Sequence, residues 1–196
     1  MPRHERLRTD HGLRTAIAAA AARLMAEDGV DDYYHAKRKA ARQLGLPEHT
    51  ALPDNAEVEA ELRAYRSLYQ GEGHAELIAA LRRSALELLQ ILEIFNPYLT
   101  GSVLDGTAGE HSHIDILLFA DSAKEVEIFL LNRGIDVAHG DSRSDKVEAV
   151  LRIATDVADA NLIVMAQGME RVAMKHRDGR PRARIRAPAL AALLEE

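Results

Sequence analysis

The amino-acid sequence predicts an α+β protein, with a helical N-terminal region at residues 1–95 and an α+β region at residues 96–196. Three observations carry that prediction. Apolar residues recur at three- and four-residue spacing through most of the first 95 positions, the pattern of amphipathic helices. The chain changes character at Asn96-Pro97. Beyond that point the apolar runs are short, β-branched and bounded by turn-forming residues, as strands are.

In chain order, residues 13–28 form the first helix, with Ile17, Ala20, Ala21, Leu24 and Met25 on its apolar side and Gly29 as its stop. Residues 33–44 form a second helix, ended by Gly45 with Pro47 beyond. Pro53-Asp54-Asn55 opens a third over 56–69, where Val58, Leu62, Tyr65 and Tyr69 share a face. Gly71-Glu72-Gly73 breaks the chain. A fourth helix over about 75–95 carries Leu77, Leu81, Ala85, Leu88, Leu92 and Phe95.

The second region opens with a short strand at 98–100 and a glycine-containing turn. Residues 114–119 are a strand in which Asp115 is the only charge. Ser122 suits the N-cap of a helix running to Asn132, with Gly134 as its stop. Residues 135–137 are a short strand, 147–154 and 162–166 pair as a hairpin, and 188–194 form a terminal helix.

Composition narrows the function classes. Apolar residues make up 47% of the chain but aromatics only 4%, so the core rests on Leu, Ile, Val and Ala. There is no cysteine, which excludes disulfides and thiolate metal sites. The opening Met1-Pro2-Arg3-His4-Glu5-Arg6 is polar and unlike a secretory signal. The alanine-rich stretch 15–22 is far short of a membrane span. A soluble cytoplasmic protein with no membrane partner is therefore expected. The net charge of −6 argues against nucleic acid as a partner for the chain as a whole.

Chemistry concentrates in Gly101-Ser102-Val103-Leu104-Asp105-Gly106-Thr107-Ala108-Gly109-Glu110-His111-Ser112-His113-Ile114-Asp115. Gly101 lets the backbone approach a phosphate closely, and the Ser102 hydroxyl can donate to it. Alternate strand residues share a face, so His111, His113 and Asp115 could converge on one site. Phosphoryl transfer asks mainly for positioning and neutralisation of charge.

This segment resembles the signature of the DNA polymerase beta-like nucleotidyltransferase superfamily, especially its small bacterial members. That signature is a Gly-Ser pair, a second Gly four positions after the Ser, then Ser-Asp-hydrophobic-Asp on the next strand. Gly101, Ser102, Gly106, Ser112 and Asp115 fall in register with it, and the resemblance covers less than half of the 196 residues. It implies a mixed β-sheet flanked by helices, a Gly101-Ser102 turn that cradles a nucleoside triphosphate, and Mg²⁺ held by Asp115, with Mn²⁺ as an alternative cation. It also implies transfer of a nucleotide monophosphate to an acceptor that the sequence does not identify.

The chain departs from the family pattern in its acids. His113 stands where the family has its first Asp, and an imidazole is a poor ligand for a hard cation. The strand expected to carry the third carboxylate, 162–165, has none; Asn161 and Asp159 lie just before it. Val103 and Asp105 stand where small members often carry Arg. A two-metal site, which uses carboxylates to hold cations about 3.5–4 Å apart, is thus only partly provided for. The expectation is nucleotide binding with Asp115 and His113 in the catalytic positions and weak or degenerate transfer. His111, His113 and Asp115 could instead hold Zn²⁺, and Asp115 could be a hydrogen-bonded strand residue with no cation.

Two further stretches stand out. Residues 175–186 hold six Lys/Arg in twelve positions. Arg180, Arg182, Arg184 and Arg186 alternate, so an extended chain would show them on one side, where Arg182 and Arg184 could grip a triphosphate or an RNA backbone. The alternative is a solvated loop whose arginines pair with acids elsewhere in the chain. Residues 20–30 are similar to the first helix of tetracycline-repressor-type regulators, and residues 36–46 could begin a helix-turn-helix. The stretch from Pro47 to Pro53 interrupts any recognition helix. The second functional reading is therefore a non-enzymatic helical regulatory or DNA-binding module, or a helical pair serving as core or homodimer interface, with the α+β part as scaffold.

Overall fold

The computed structural model describes residues 3–28, 30, 32–69, 71–142, 144–175 and 181–195. The chain divides into two units, residues 1–74 and 75–196. Gly29, Arg177 and Arg180 lie outside the described residues.

The first unit holds α1 (Arg3–Glu27), α2 (Tyr33–Gln43) and α3 (Asn55–Tyr69). Ile17, Ala18, Ala21, Ala22 and Leu24 of α1 meet Ala36, Ala40 and Ala41 of α2 and Val58 and Leu62 of α3 in one buried cluster. Small alanines let the helices approach closely, which suits a core poor in aromatics. Asp32 caps α2 by accepting from the His35 amide at 2.8 Å. Asp54 and Glu57 cap α3 reciprocally: Asp54 accepts from the Glu57 amide, and Glu57 accepts from the Asp54 amide. Lys37 ties α2 to this capped end, its ammonium donating to the Pro53 carbonyl and the Asn55 side chain. Val58 and Leu62 are buried as their spacing requires, and Tyr65 is half-buried; the Tyr69 side chain lies outside the described residues. Residues 44–54 separate α2 from α3, far longer than the three- or four-residue turn of a helix-turn-helix.

The fourth helix, α4 (Gly71–Ile91), corrects the sequence reading in two ways. Its first turn contains Gly71 and Gly73, so the glycines start the helix rather than break the chain. The first amides of a helix have no intrahelical acceptor, and glycine there disturbs least. The helix also starts and ends four residues earlier than the expected span of about 75–95, and most of it belongs to the second unit. The reason is packing: Ile78, Leu81, Ala85, Leu88 and Leu89 belong to the same buried cluster as the sheet. A short 3-10 turn, Glu93–Phe95, follows α4 and ends at Asn96, which takes a left-handed conformation at φ 46°.

The second unit is built on six strands: β1 (Tyr98–Thr100), β2 (Ile114–Ala120), β3 (Ala138–Gly140), β4 (Ala149–Ile153), β5 (Ala160–Ala166) and β6 (Arg184–Ile185). Their order in the sheet is β3-β4-β5-β2-β1-β6. β2 and β5 run parallel, and every other neighbouring pair is antiparallel. Among the described residues the unit also holds three further α-helices, α5 (Ser102–Asp105), α6 (Ala123–Leu131) and α7 (Ala187–Leu194). Ser122 caps α6 by accepting from the Glu125 amide. The 4–5 hairpin forms as expected, its turn held by the Thr155 hydroxyl, which donates to the Ala158 carbonyl at 2.7 Å. The strand expected at 135–137 lies instead at 138–140, after Gly134 has ended α6 with φ +71°.

The two faces of this sheet differ. Ile114, Ile116, Leu118 and Ala120 of β2 and Ala160, Leu162 and Val164 of β5 are buried against α4, α6 and α7. On the opposite face the buried apolar cluster is Leu117, Phe119 and Met165, joined by half-buried Tyr98, Ile163, Met169 and Met174. That face is covered by the chain after β5, through Met169 and Met174, and buries far fewer apolar residues than the first. No helix among the described residues is long and apolar enough to cross a membrane.

Candidate functional site

One row of polar residues crosses the sheet face opposite α4, α6 and α7. The register pairs Arg152 of β4 with Asn161 of β5, and Asn161 with Asp115 of β2. It continues from Asp115 to Thr100 of β1, and from Thr100 to Arg184 of β6. Paired residues on neighbouring strands project to the same side, so the row spans five strands. It arises because each strand carries its one or two polar residues at the end nearest the Gly101 turn, while Leu117, Phe119, Ile163 and Met165 occupy the other end.

Asp115 is the centre of this row. Its side chain is 26% exposed, so it faces solvent rather than the apolar interior. The Asn161 amide donates to Oδ1 at 3.0 Å. The Arg182 Nη2 lies 3.8 Å from Oδ2. Asn161 in turn accepts from the Arg152 Nε at 3.4 Å.

Gly101 sits directly against that carboxylate. A Cβ at this position would lie 2.8 Å from the Asp115 Oδ2. Its φ of 76° and ψ of −157° fall in a region essentially reserved for glycine. The backbone angle demands glycine here, and the turn comes so close to Asp115 that any side chain would push its carboxylate aside. Ser102 follows as the first residue of α5, and its carbonyl accepts from the amides of Thr107 and Ala108 at 2.8 and 3.1 Å. Gly106, at φ +71°, ends α5. Arg82 secures this end, donating to the carbonyls of Val103 and Leu104 at 3.2 and 2.9 Å, and burial lowers its pKa from the ordinary guanidinium value.

Ser112 closes a separate turn, where its hydroxyl accepts from the Gly109 amide at 2.8 Å. His111 and His113 lie in the loop ahead of β2 rather than on the strand, His111 exposed and His113 half-buried. The strand geometry that would align them with Asp115 does not extend to them. Among the described residues, no three His, Asp or Glu side chains come together as a metal-binding group. The donors around Asp115 do not suit Mg²⁺: the single carboxylate has an amide N–H on one oxygen and a guanidinium beside the other. A divalent cation prefers oxygen ligands.

The arginines of 182–186 do share a side, as their alternation predicts. Arg182 reaches Asp115, whereas Arg184 and Arg186 stack on Tyr98, their guanidinium carbons 4.5 and 4.7 Å from the ring centre. Arg184 also donates to the Glu170 carbonyl, and Arg186 pairs with the Glu170 carboxylate. Hydrogen bonding with Tyr98, and secondarily with Glu170, raises the Arg186 pKa above its ordinary value. The Thr100 hydroxyl, fully buried, donates to the Ala183 carbonyl at 2.7 Å and fixes the strand between Arg182 and Arg184. The Arg182 Nε and the Arg184 Nη1 are buried with no acceptor among the described residues. A buried N–H left unmatched costs about 1–3 kcal/mol.

Sequence reasoning missed Arg152 and Thr100. The signal for Arg152 was present, since it is the only charge in Ala149–Ile153 just as Asp115 is in β2. Nothing in the order of residues said that the two strands would align these charges.

The chain is thus an α+β protein whose six-stranded mixed sheet carries a polar, arginine-flanked row on the face opposite α4, α6 and α7. Compared with known proteins, the chain matches no family model, and no curated protein matches it.

Proposed function

We propose that this is a nucleotidyltransferase-fold protein that binds a nucleoside triphosphate across the Gly101 turn and the Asp115 row. The observation that carries the reading is the contact between Gly101 and Asp115. A turn that only glycine can make lies against the sole acid of its neighbouring strand, with Arg182 beside it. A phosphate chain fits such a place because it is anionic and only accepts hydrogen bonds, while the arginines only donate. Transfer of a nucleotide monophosphate to an acceptor would be weak, since one carboxylate does not supply the charge of a two-metal centre. The same reading puts the protein in the cytoplasm, where nucleoside triphosphates are found.

Calorimetry with ATP, CTP, GTP and UTP in the presence of Mg²⁺ tests it. Saturable binding is expected, weakened about tenfold by Gly101→Ala because alanine rarely adopts these backbone angles and would distort the turn that meets the phosphates. Saturable binding of duplex DNA with no affinity for any nucleotide would sink the proposal and favour a helical regulator.

A further inference from the structure

We infer that Arg182 stands in for the divalent cation at this site, so that the triphosphate binds without a metal ion. The inference rests on the nucleotide-binding reading above and adds what neutralises the phosphates. A metal at Asp115 would have to displace the Asn161 amide from Oδ1, and it would sit beside a positive guanidinium 3.8 Å from Oδ2. Like charges so placed repel. The residue that pairs with Asp115 across the parallel strands is Asn161, a neutral side chain rather than a second acid.

The arginines meanwhile have donors to spare. The Arg182 Nε and the Arg184 Nη1 are both buried, and neither has an acceptor among the described residues. The two residues are separated by one position on an extended segment that Thr100 pins through the Ala183 carbonyl. Their N–H groups therefore hold fixed positions on one side of the strand. A phosphate group supplies several acceptor oxygens and negative charge together, and a guanidinium can bind it in a bidentate fork. Asp115 then has a different role from a metal ligand. It holds the Arg182 guanidinium in place and competes with the phosphates for it.

The two roles predict opposite responses. ATP is titrated by calorimetry into the full chain, first in EDTA and then in excess Mg²⁺. Affinity in EDTA should match that in Mg²⁺ within about threefold, and Arg182→Gln should weaken it about tenfold. Arg182→Lys, which keeps the charge and loses the fork, should recover part of the loss; a misfolded protein could not give that gradation. Asp115→Asn should leave binding in EDTA intact or tighten it. Binding that requires Mg²⁺ and disappears in Asp115→Asn would overturn the inference and leave the nucleotide reading standing. No binding in either condition would remove both.

Discussion

The two faces of the central sheet are made by the same strands and carry opposite designs. Along β2, Ile114, Ile116, Leu118 and Ala120 face α4, α6 and α7 and are buried, while Asp115, Leu117 and Phe119 face the other way. The first face packs a large apolar cluster between sheet and helices. The second has a small apolar patch at one end and charged residues at the other. Burying apolar area is non-directional and contributes stability wherever it occurs. Holding a half-buried acid between an amide and a guanidinium requires particular partners and contributes far less. The difference teaches that the helix-covered face holds most of the buried apolar core of the unit, and the proposed binding site lies on the face where polar residues need particular partners.

Substitutions can break or sharpen that contrast. The largest effect is expected from Leu118→Ala, which empties a fully buried position on the helix-covered face. It should cost about 2–5 kcal/mol in a denaturant unfolding curve. Gly101→Ala should cost about 1–3 kcal/mol, from backbone angles that alanine rarely adopts and from the clash with Asp115. Its loss of nucleotide affinity should exceed what that destabilisation explains, whereas Leu118→Ala, at temperatures where it is folded, should bind normally. Tyr98→Phe is the mildest. It removes the hydroxyl that donates to Glu170 and hydrogen-bonds with Arg186, and should cost about 0.5–1.5 kcal/mol by thermal unfolding. If Leu118→Ala and Tyr98→Phe proved equally costly, the contrast between the two faces would be wrong.

Part of this arrangement was legible before the structure. The alternation of β2, with one acid among apolar residues, announced a strand with a special position. The glycine preceding Ser102 announced a tight turn, and the alternating arginines announced one charged side. The expectation of a three-residue His-His-Asp group was not met, because strand geometry starts at Ile114 and the histidines precede it. Glycines 71 and 73 were misread because glycine marks helix starts as well as chain breaks.

By itself, then, the sequence determined the periods of the elements and the residues with unusual chemistry. Both depend on neighbours a few positions apart, and spacing along a chain records them. Tertiary structure alone decided that Arg152, Asn161, Asp115, Thr100 and Arg184 form one row, and that Arg182 lies beside the acid. Strand order and register fix those pairings. They follow from how five separate segments pack their apolar faces against the same helices, and no local pattern encodes that.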